Sequence, residues 1–303
     1  MPDALAQVQE FYTQPYLQEE WPWRQWSAHP RVQRAIRRRL SGCPRTTLAQ
    51  RLRRLLPEWG LELPAARVAS LGCGAGSHDR RLYRNGLATS LVGYDISPHS
   101  LEMAAKTALH SGITTFRYEQ ADLNVVELEP GTFDFVYAEM SLHHVERLER
   151  VYEEIARALV PGGLLILDEF VGPTRFAWTE TQMATINSLL NRLPKELRRS
   201  PEGAAKPLVV RLPEQHFQQT DPSESIRSGE VLACLEQRFE ILWRQDYGGA
   251  LLHPLLHDIA WCFAEGDLQA EDWLDEFIGL EEQMMADGQI ASDFVVVVAR
   301  PRC

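Results

Sequence analysis

The sequence predicts an α/β fold in which helices cover both faces of a largely parallel sheet. Short apolar runs alternate with amphipathic segments from residue 67 onward, and a glycine-rich turn, LGCGAGS at 71–77, follows the first run. A valine-rich run, FVVVVA at 294–299, stands near the end of the 303 residues. Because parallel strands need crossover connections, this alternation favours right-handed β–α–β units.

The individual elements follow from hydrophobic periodicity and from the glycines and prolines that end each segment. Two amphipathic helices are predicted first, at 30–40 and 46–56. Strands and helices then alternate: strands at 67–72, 90–97, 114–123, 133–140 and 163–170, and helices at 77–86, 98–112 and 147–163. After a polar stretch, strands are predicted at 239–249 and 292–301, with a helical pair at 253–263 and 271–288 between them.

This pattern divides the chain into a core and two additions. We expect an α/β core from residues 64–170 and 231–303. Residues 1–60 are helical and rich in aromatic side chains, and residues 171–230 are too polar for a sheet. We interpret 1–60 as an N-terminal lid and 171–230 as an inserted lid over a substrate.

Composition and charge narrow the class of partner. A net charge of −11 disfavours nonspecific binding to nucleic acid or to anionic membranes. The chain starts without a signal-peptide pattern and has no apolar run of about 20 residues, so we expect a cytoplasmic protein with no membrane partner. The five cysteines form no CxxC pair, which argues against disulfides and thiolate zinc sites.

One region departs from the average charge. Residues 21–57 hold ten arginines and no acidic residue. Either this basic face pairs with the acidic body of the protein, or it docks an anionic substrate or an acidic carrier protein. We favour the first interpretation.

The glycine loop predicts a nucleoside cofactor. Gly72, Gly74 and Gly76 leave the backbone N–H groups and the start of a helix open to a ligand. Ser77 occupies the position where the dinucleotide fingerprint GxGxxG needs its third glycine, which disfavours a dehydrogenase. Asp95, 23 residues beyond Gly72, ends the second strand, where a carboxylate can accept hydrogen bonds from ribose hydroxyls.

Five segments together resemble the class I S-adenosylmethionine-dependent methyltransferases: VASLGCGAGS, LVGYDIS, EQADL, FDFVYAEMSLHHV and LVPGGLLILDE. The resemblance covers about residues 64–170 and the closing strands, and it implies a Rossmann-like seven-stranded sheet whose last strand is antiparallel. One departure is Ser70, where many relatives carry aspartate. By this resemblance the cofactor is S-adenosyl-L-methionine, the product is S-adenosyl-L-homocysteine, and the cofactor-binding residues are Gly72, Cys73, Gly74, Gly76, Asp95, Ile96, Asp122, Leu123 and Glu139. Within this set, the first two glycines and Cys73 would line the methionine end, Asp95 would bind the ribose, Asp122 with Leu123 would contact the adenine, and Glu139 would close the floor of the pocket.

Methyl transfer from a sulfonium mainly requires an in-line nucleophile and exclusion of water. For a hydroxyl acceptor a base is useful, and the LHHV segment makes His144 the first candidate, with His143 and Glu169 as further catalytic candidates. A role in loop structure is an equal alternative for the two histidines. Candidate substrate contacts lie in the two lids and near the second helical pair: Tyr12, Tyr16, Trp178, Arg227, His253 and His257.

His253 and His257 are four residues apart, which would place them on one helical face, but no third ligand stands at metal-ligand spacing, so we expect no metal. The sequence therefore predicts a methyltransferase that transfers a methyl group to an oxygen of a small organic acceptor. Two alternatives remain: an RNA or protein methyltransferase that docks through the arginine-rich region, and a noncatalytic cofactor-binding protein. The sequence allows a homodimer.

Overall fold

The computed structural model describes residues 4–12, 25–200 and 202–302. Seven strands build one sheet: β1 (Val68–Leu71), β2 (Leu91–Asp95), β3 (Phe116–Gln120), β4 (Phe133–Glu139), β5 (Leu159–Phe170), β6 (Phe239–Gly248) and β7 (Phe294–Pro301). Helices before and among the first five strands are α1 (Ala4–Phe11), α2 (Pro30–Ser41), α3 (Leu48–Leu55), α4 (Ser77–Arg84), α5 (Pro98–His110) and α6 (Leu148–Ala158). The others are α7 (Glu180–Arg192), α8 (Glu214–Gln219), α9 (Val231–Arg238), α10 (Leu252–Leu256) and α11 (Leu268–Ala286).

The sheet confirms the predicted fold class. Its strand order is β3-β2-β1-β4-β5-β7-β6, and β7 runs antiparallel to both of its neighbours. The pairs β1–β2, β1–β4, β2–β3 and β4–β5 are parallel, so their carboxyl ends meet at one edge. Ligands of open α/β sheets bind at that edge, beside the strand where the order reverses, which here is β1.

Alternate side chains of each central strand enter separate apolar layers, as the period of two in a strand requires. On β4, Val136 and Ala138 pack into the layer that contains α6 and α9, whereas Phe135 and Tyr137 pack into the layer that contains α3 and α4. A third apolar cluster joins α2, α7, α10 and α11 to the β5–β7 end of the sheet. The sheet is thereby covered on both faces.

Two predicted helices end earlier than their apolar pattern suggests. The helix predicted over 147–163 ends at Ala158, and the next five residues already belong to β5. Val160 precedes Pro161, a position that disfavours helical backbone, and Leu159 is extended with ψ of 141°. The helix predicted over 253–263 is only α10, which ends at Leu256.

His257 caps α10 and does not lie within a longer helix: its ψ of 133° ends the helical backbone, and Asp258 follows in the left-handed region at φ of 63°. Its N–H still donates to the carbonyl of His253 at 3.0 Å, so the two residues stay one helical turn apart, with ring centroids 6.2 Å from each other.

The arginine-rich region packs its charges against α11. Arg31 pairs with Glu271 and Asp275, and Arg39 pairs with Glu281 at 2.6 Å and with Glu282 at 3.2 Å. These ion pairs agree with the interpretation that the basic face pairs with acidic residues of the same chain. No helix among the described residues is long and apolar enough to cross a membrane.

Candidate functional site

The glycine loop leaves the carboxyl end of β1 with three residues in the left-handed region: Gly72 at φ of 65°, Gly74 at 51° and Gly76 at 69°. A Cβ on Gly72 would lie 2.3 Å from Cβ of Ser141, in the turn after β4. A Cβ on Gly74 would meet no atom within 4 Å. The first glycine is thus required by packing, whereas the second leaves open space over the loop.

Asp95 ties this loop to the neighbouring strand. Its Oδ2 accepts a hydrogen bond from the backbone N–H of Gly74 at 2.8 Å, and its Oδ1 accepts one from the N–H of Ser97 at 2.9 Å. Burial raises the pKa of Asp95, and these backbone donors oppose the rise. A carboxylate oxygen accepts two hydrogen bonds, so each retains capacity for a ligand hydroxyl.

The other predicted cofactor residues on this side follow β2 and β3. The carbonyl of Ile96 accepts a hydrogen bond from Nε2 of Gln120 at 3.2 Å. Asp122 Oδ1 accepts from the backbone N–H of Asn124 at 2.8 Å and from its Nδ2 at 2.9 Å, and Leu123 packs half-buried against an apolar cluster. Asp122 therefore also organises its own turn.

Glu139, at the end of β4, is held by side chains of α4. It contacts Nδ1 of His78, forms an ion pair with Arg81 and accepts the hydroxyl hydrogen of Tyr137. Burial opposes ionisation, but His78 and Arg81 prevail and lower the pKa of Glu139 to about 2. On the next strand, burial and the charge of Glu139 raise the pKa of Asp168 to about 7, and Tyr247 donates to its Oδ1 at 2.7 Å.

Glu169 is fully buried at the carboxyl end of β5. Its Oε2 accepts the backbone N–H groups of Ser141 at 2.9 Å and Leu142 at 2.7 Å, its Oε1 accepts the N–H of Phe170 at 2.8 Å, and it contacts Nδ1 of His143. Burial lowers the pKa of His143, but the Glu169 carboxylate outweighs it and raises that pKa. The predicted catalytic carboxylate thus holds the turn that carries both histidines.

His144 differs from its neighbour in charge and contacts. The two rings contact each other at a tilt of 41°, with centroids 4.1 Å apart. Nδ1 of His144 lies 3.0 Å from Oγ of Ser223, and Nε2 lies 3.0 Å from the hydroxyl of Tyr12. Burial and the adjacent His143 lower the pKa of His144, so the neutral imidazole is favoured. Two titratable groups whose environments move their pKa values apart are typical of acid–base sites.

The segment at 221–226 brings Asp221, Ser223 and Glu224 to the histidines, and the sequence interpretation missed all three. Arg175 holds this segment by donating to the carbonyls of Glu224 at 2.6 Å and Pro222 at 2.9 Å. The only local signal is the polar run DPSES, which resembles an ordinary turn. From the same stretch the sequence singled out Arg227.

The predicted substrate contacts fall in different places. Arg227 pairs with Glu149 and Glu230, each at 2.7 Å. Trp178 is buried and donates its Nε1–H to Asp293 at 3.2 Å, while its ring lies 6.2 Å from that of His253. His257 accepts Nζ of Lys206 at its carbonyl at 2.6 Å. Tyr12 reaches His144 directly, and Tyr16 lies outside the described residues.

One group of donor atoms is close enough to hold a metal ion. A nitrogen of His143, a nitrogen of His144 and a carboxylate oxygen of Glu224 lie within 4.8 Å of one another. Both ring nitrogens of His144 already contact protein hydroxyl groups, which favours a hydrogen-bonded network at this place. The absence of a resident metal stays a prediction.

Comparison with known proteins identifies the domain. Residues 69–167 match a family described as a methyltransferase domain, and the matched range runs from β1 to β5. These residues form a methyltransferase domain, and their strand order agrees with the Rossmann-like sheet predicted above. The glycine loop, Asp95 and the turn after β4 all lie inside this methyltransferase domain.

Two curated relatives and one solved structure are similar to this domain, and their names specify three different acceptor atoms: oxygen, carbon and nitrogen. The chain is 32% identical over 107 residues to the ubiquinone biosynthesis O-methyltransferase of Xanthomonas euvesicatoria pv. vesicatoria, covering 35% of this chain and 44% of that protein. It is 31% identical over 109 residues to a sterol 24-C-methyltransferase of Schizosaccharomyces pombe, covering 36% of this chain and 29% of the relative. The matched part thus spans less than half the length of either relative.

A solved structure of phosphoethanolamine N-methyltransferase 2 from Haemonchus contortus superposes with a TM-score of 0.50 at 15% identity. The superposition covers 96% of this chain and 60% of that chain. At this identity the likeness concerns the fold of the methyltransferase domain and its surrounding helices.

Proposed function

We propose that this chain transfers the methyl group of S-adenosylmethionine to an oxygen of a small organic acceptor. One observation carries the proposal: the open glycine loop, the Asp95 carboxylate and the histidine turn meet at one edge of the sheet. Gly74 donates to Asp95 at 2.8 Å. Gly72 packs so closely on Ser141 that the loop and the turn bearing His143 and His144 are direct neighbours.

In this proposal Gly72, Cys73 and Gly74 line the methionine end of the cofactor. Asp95 accepts hydrogen bonds from the ribose, and the turn at 121–123 contacts the adenine. Burial, with the charges of Asp79 and Asp95, raises the pKa of the Cys73 thiol. Because a protonated thiol is a poor nucleophile, Cys73 does not compete with the acceptor for the activated methyl group.

The acceptor's oxygen attacks the methyl carbon in line with the departing sulfur, and His144 is the base to which the proton of the hydroxyl is finally transferred. A base is useful for a hydroxyl because its oxygen becomes strongly nucleophilic only as the proton leaves. The neutral imidazole favoured at His144 suits this role. The name of the Xanthomonas relative, an O-methyltransferase, supports the oxygen acceptor, although the S. pombe relative's name specifies carbon.

Calorimetry tests the cofactor site. Asp95→Asn and Asp95→Ala should weaken S-adenosylmethionine binding, because the ribose loses hydrogen bonds to a charged group that are worth about 1.5–3 kcal/mol, or roughly 10- to 100-fold in Kd. Asp246→Asn is the matched control, since Asp246 lies exposed on β6 in an ion pair with Arg244. Unchanged affinity in both Asp95 variants would contradict the ribose assignment.

Isotope transfer tests the reaction and the acceptor atom. The chain is incubated with S-adenosylmethionine labelled with ¹³C in its methyl group and with a metabolite extract. The carbon shift of the product's methyl group distinguishes attachment to oxygen, nitrogen or carbon, and we expect oxygen. Label that enters only RNA or protein would overturn the small-molecule proposal. Cofactor binding without any labelled product would favour the noncatalytic alternative.

A further inference from the structure

We propose that Tyr12, Asp221 and Ser223 form a proton-handling unit around His144. In this unit Ser223 and Asp221 keep a proton on Nδ1 of the imidazole, so that Nε2 is the basic nitrogen, and Tyr12 passes the acceptor's proton to Nε2. The inference rests on the proposed function, since the proton is that of the acceptor's hydroxyl. Tyr12 is thereby a catalytic residue, and Asp221 and Ser223 are positioning residues.

The tautomer of His144 follows from a count of donors. Asp221 is 2% exposed, and a carboxylate accepts hydrogen bonds but donates none. Its Oδ1 lies 2.6 Å from Oγ of Ser223 and 2.9 Å from the backbone N–H of the same residue. The contact of Oγ with Asp221 is shorter than its contact with His144, so we assign the hydroxyl hydrogen of Ser223 to Asp221, and its oxygen then accepts at 3.0 Å from a proton on Nδ1 of His144. In a neutral imidazole this leaves the lone pair on Nε2.

Tyr12 can serve both charge states of the imidazole. Its hydroxyl has one hydrogen and two acceptors, Nε2 of His144 and Oδ2 of Asp221, each at 3.0 Å. When His144 is neutral, the hydroxyl donates to Nε2. When His144 is protonated, Nε2–H donates to the Tyr12 oxygen, and the hydroxyl hydrogen turns to Asp221. One O–H rotation moves this hydrogen between Nε2 and Oδ2 without movement of heavier atoms, and in the neutral state Asp221 still accepts the N–H and O–H of Ser223 through Oδ1.

The protons and electrons of the proposed methyl transfer balance. The O–H bond of the acceptor breaks and its proton joins the Tyr12 oxygen, while the proton of Tyr12 moves to Nε2 of His144. The acceptor's oxygen uses its freed electron pair to bond the methyl carbon. The electron pair of the carbon–sulfur bond stays on sulfur, which becomes a neutral thioether. The imidazolium then returns its proton to solvent.

The surrounding charges suit this direction of transfer. His144 faces the tilted ring of His143, the carboxylates of Asp221, Glu224 and Glu169, and the Tyr12 hydroxyl. Burial, followed by the charge of Asp221, raises the pKa of Tyr12 well above its usual value, so Tyr12 keeps a proton and serves as a relay. The Asp221 carboxylate, 3.6 Å from Nδ1, stabilises the imidazolium that forms.

The unit is assembled by chain segments that are distant in sequence. Tyr12 follows α1, and Gln7 of α1 donates from Nε2 to the carbonyl of Gln218 on α8 at 2.6 Å. Asp221 and Ser223 come from the stretch after α8, which Arg175 holds in place. The two segments that the sequence predicts to be lids therefore supply the groups of the proposed relay.

Nitrogen NMR of the full chain with ¹⁵N-labelled histidine tests the tautomer without an acceptor. His144→Gln identifies the signal of His144. We expect the wild type to carry the neutral proton on Nδ1, and both Asp221→Asn and Ser223→Ala to shift the population toward Nε2–H. Asp221→Asn should also lower the pKa of His144, since the nearby negative charge is lost. Tyr83→Phe, at an exposed tyrosine on α4, is the control and should change neither quantity.

Turnover with the acceptor found by isotope transfer tests the relay. Tyr12→Phe should lower kcat by about 100-fold, in the range of general acid–base effects, with an unchanged Kd for S-adenosylmethionine. A wild-type His144 with its proton on Nε2, or Asp221→Asn and Ser223→Ala chains that fold and keep the wild-type tautomer, would overturn the inference. So would Tyr12→Phe with wild-type kcat. A wild-type chain that does not bind S-adenosylmethionine would instead refute the proposed function. The two failures are distinguishable, because the NMR experiment measures the tautomer without cofactor.

Discussion

Alanine substitutions at three glycines with left-handed backbone distinguish the packing role of the glycine loop from its role in cofactor binding. Gly72, Gly74 and Gly112 have φ of 65°, 51° and 75°. Alanine at any of them incurs the left-handed backbone cost of about 1–2 kcal/mol. A methyl group on Gly72 would lie 2.3 Å from Cβ of Ser141, whereas Gly74 and Gly112 have no atom within 4 Å of that position.

The magnitudes follow from this geometry. Ser141 is buried and its N–H is bonded to Glu169, so it has little freedom to move. Overpacking adds about 1–3 kcal/mol, and Gly72→Ala should therefore cost about 2–5 kcal/mol in free energy of unfolding. At about 2 °C per kcal/mol for a chain of this size, its Tm should fall by about 4–10 °C, against about 2–4 °C for the other two variants.

Cofactor affinity should rank the variants differently. The methyl group of Gly74→Ala enters the open space proposed for the methionine end, so calorimetry should show S-adenosylmethionine binding weakened by about tenfold or more, equal to about 1.4 kcal/mol. Gly112 follows the carboxyl end of α5, away from the glycine loop, so Gly112→Ala should bind S-adenosylmethionine with wild-type affinity. If Gly74→Ala binds as tightly as Gly112→Ala, the proposed cofactor position is wrong. If Gly72→Ala is as stable as Gly112→Ala, the packing argument fails.

Three further measurements address charge and metal. Arg39→Gln should lower the free energy of unfolding by about 3–5 kcal/mol, since it leaves the fully buried Glu281 without its cation, whereas Arg38→Gln at an exposed position should leave denaturation unchanged; equal effects would contradict the buried pair. Burial raises the pKa of Asp79 from 3.8 to about 6, so the folded state binds the extra proton and the wild type loses stability as pH rises from about 4 to 6. Asp79→Asn should be free of this loss and gain about 3 kcal/mol relative to the wild type between pH 4 and pH 7, and a constant difference in urea denaturation would refute the assignment. Dialysis against a chelator should leave methyl transfer unchanged, and activity that is lost on dialysis and restored by a divalent cation would contradict the predicted absence of a metal and make His143, His144 and Glu224 its candidate ligands.

The alternation of strands and helices was predictable because it depends on local periodicity. Each central strand is an apolar run closed by a polar or glycine residue, and the glycine or proline at a segment's end is a property of a few neighbouring residues. The proximity of the glycine loop to Asp95 was also predictable, since the carboxyl ends of adjacent parallel strands meet. The ends of helices were less predictable. The helix α6 ends at Ala158, five residues before the predicted end, because the following residues are extended and pair with β4.

The surroundings of His144 depend on contacts that leave no mark on local sequence. Its partner Ser223 is 79 residues away, and Tyr12 meets Asp221 across 209 residues. A serine or aspartate in a polar turn has the same local pattern whether it faces solvent or a histidine. Glu169 likewise stands at a strand end that predicts an accessible carboxylate, but the turn after β4 folds over it and uses both oxygens.

The sequence alone therefore determined the sheet, the loop and the carboxylate beside it, because those features arise between neighbours along the chain or between adjacent strands. Only the tertiary structure decided which groups surround His144. Those groups come from the residue after α1 and from the stretch after α8, and packing of these segments brings their polar atoms within hydrogen-bond distance of the imidazole.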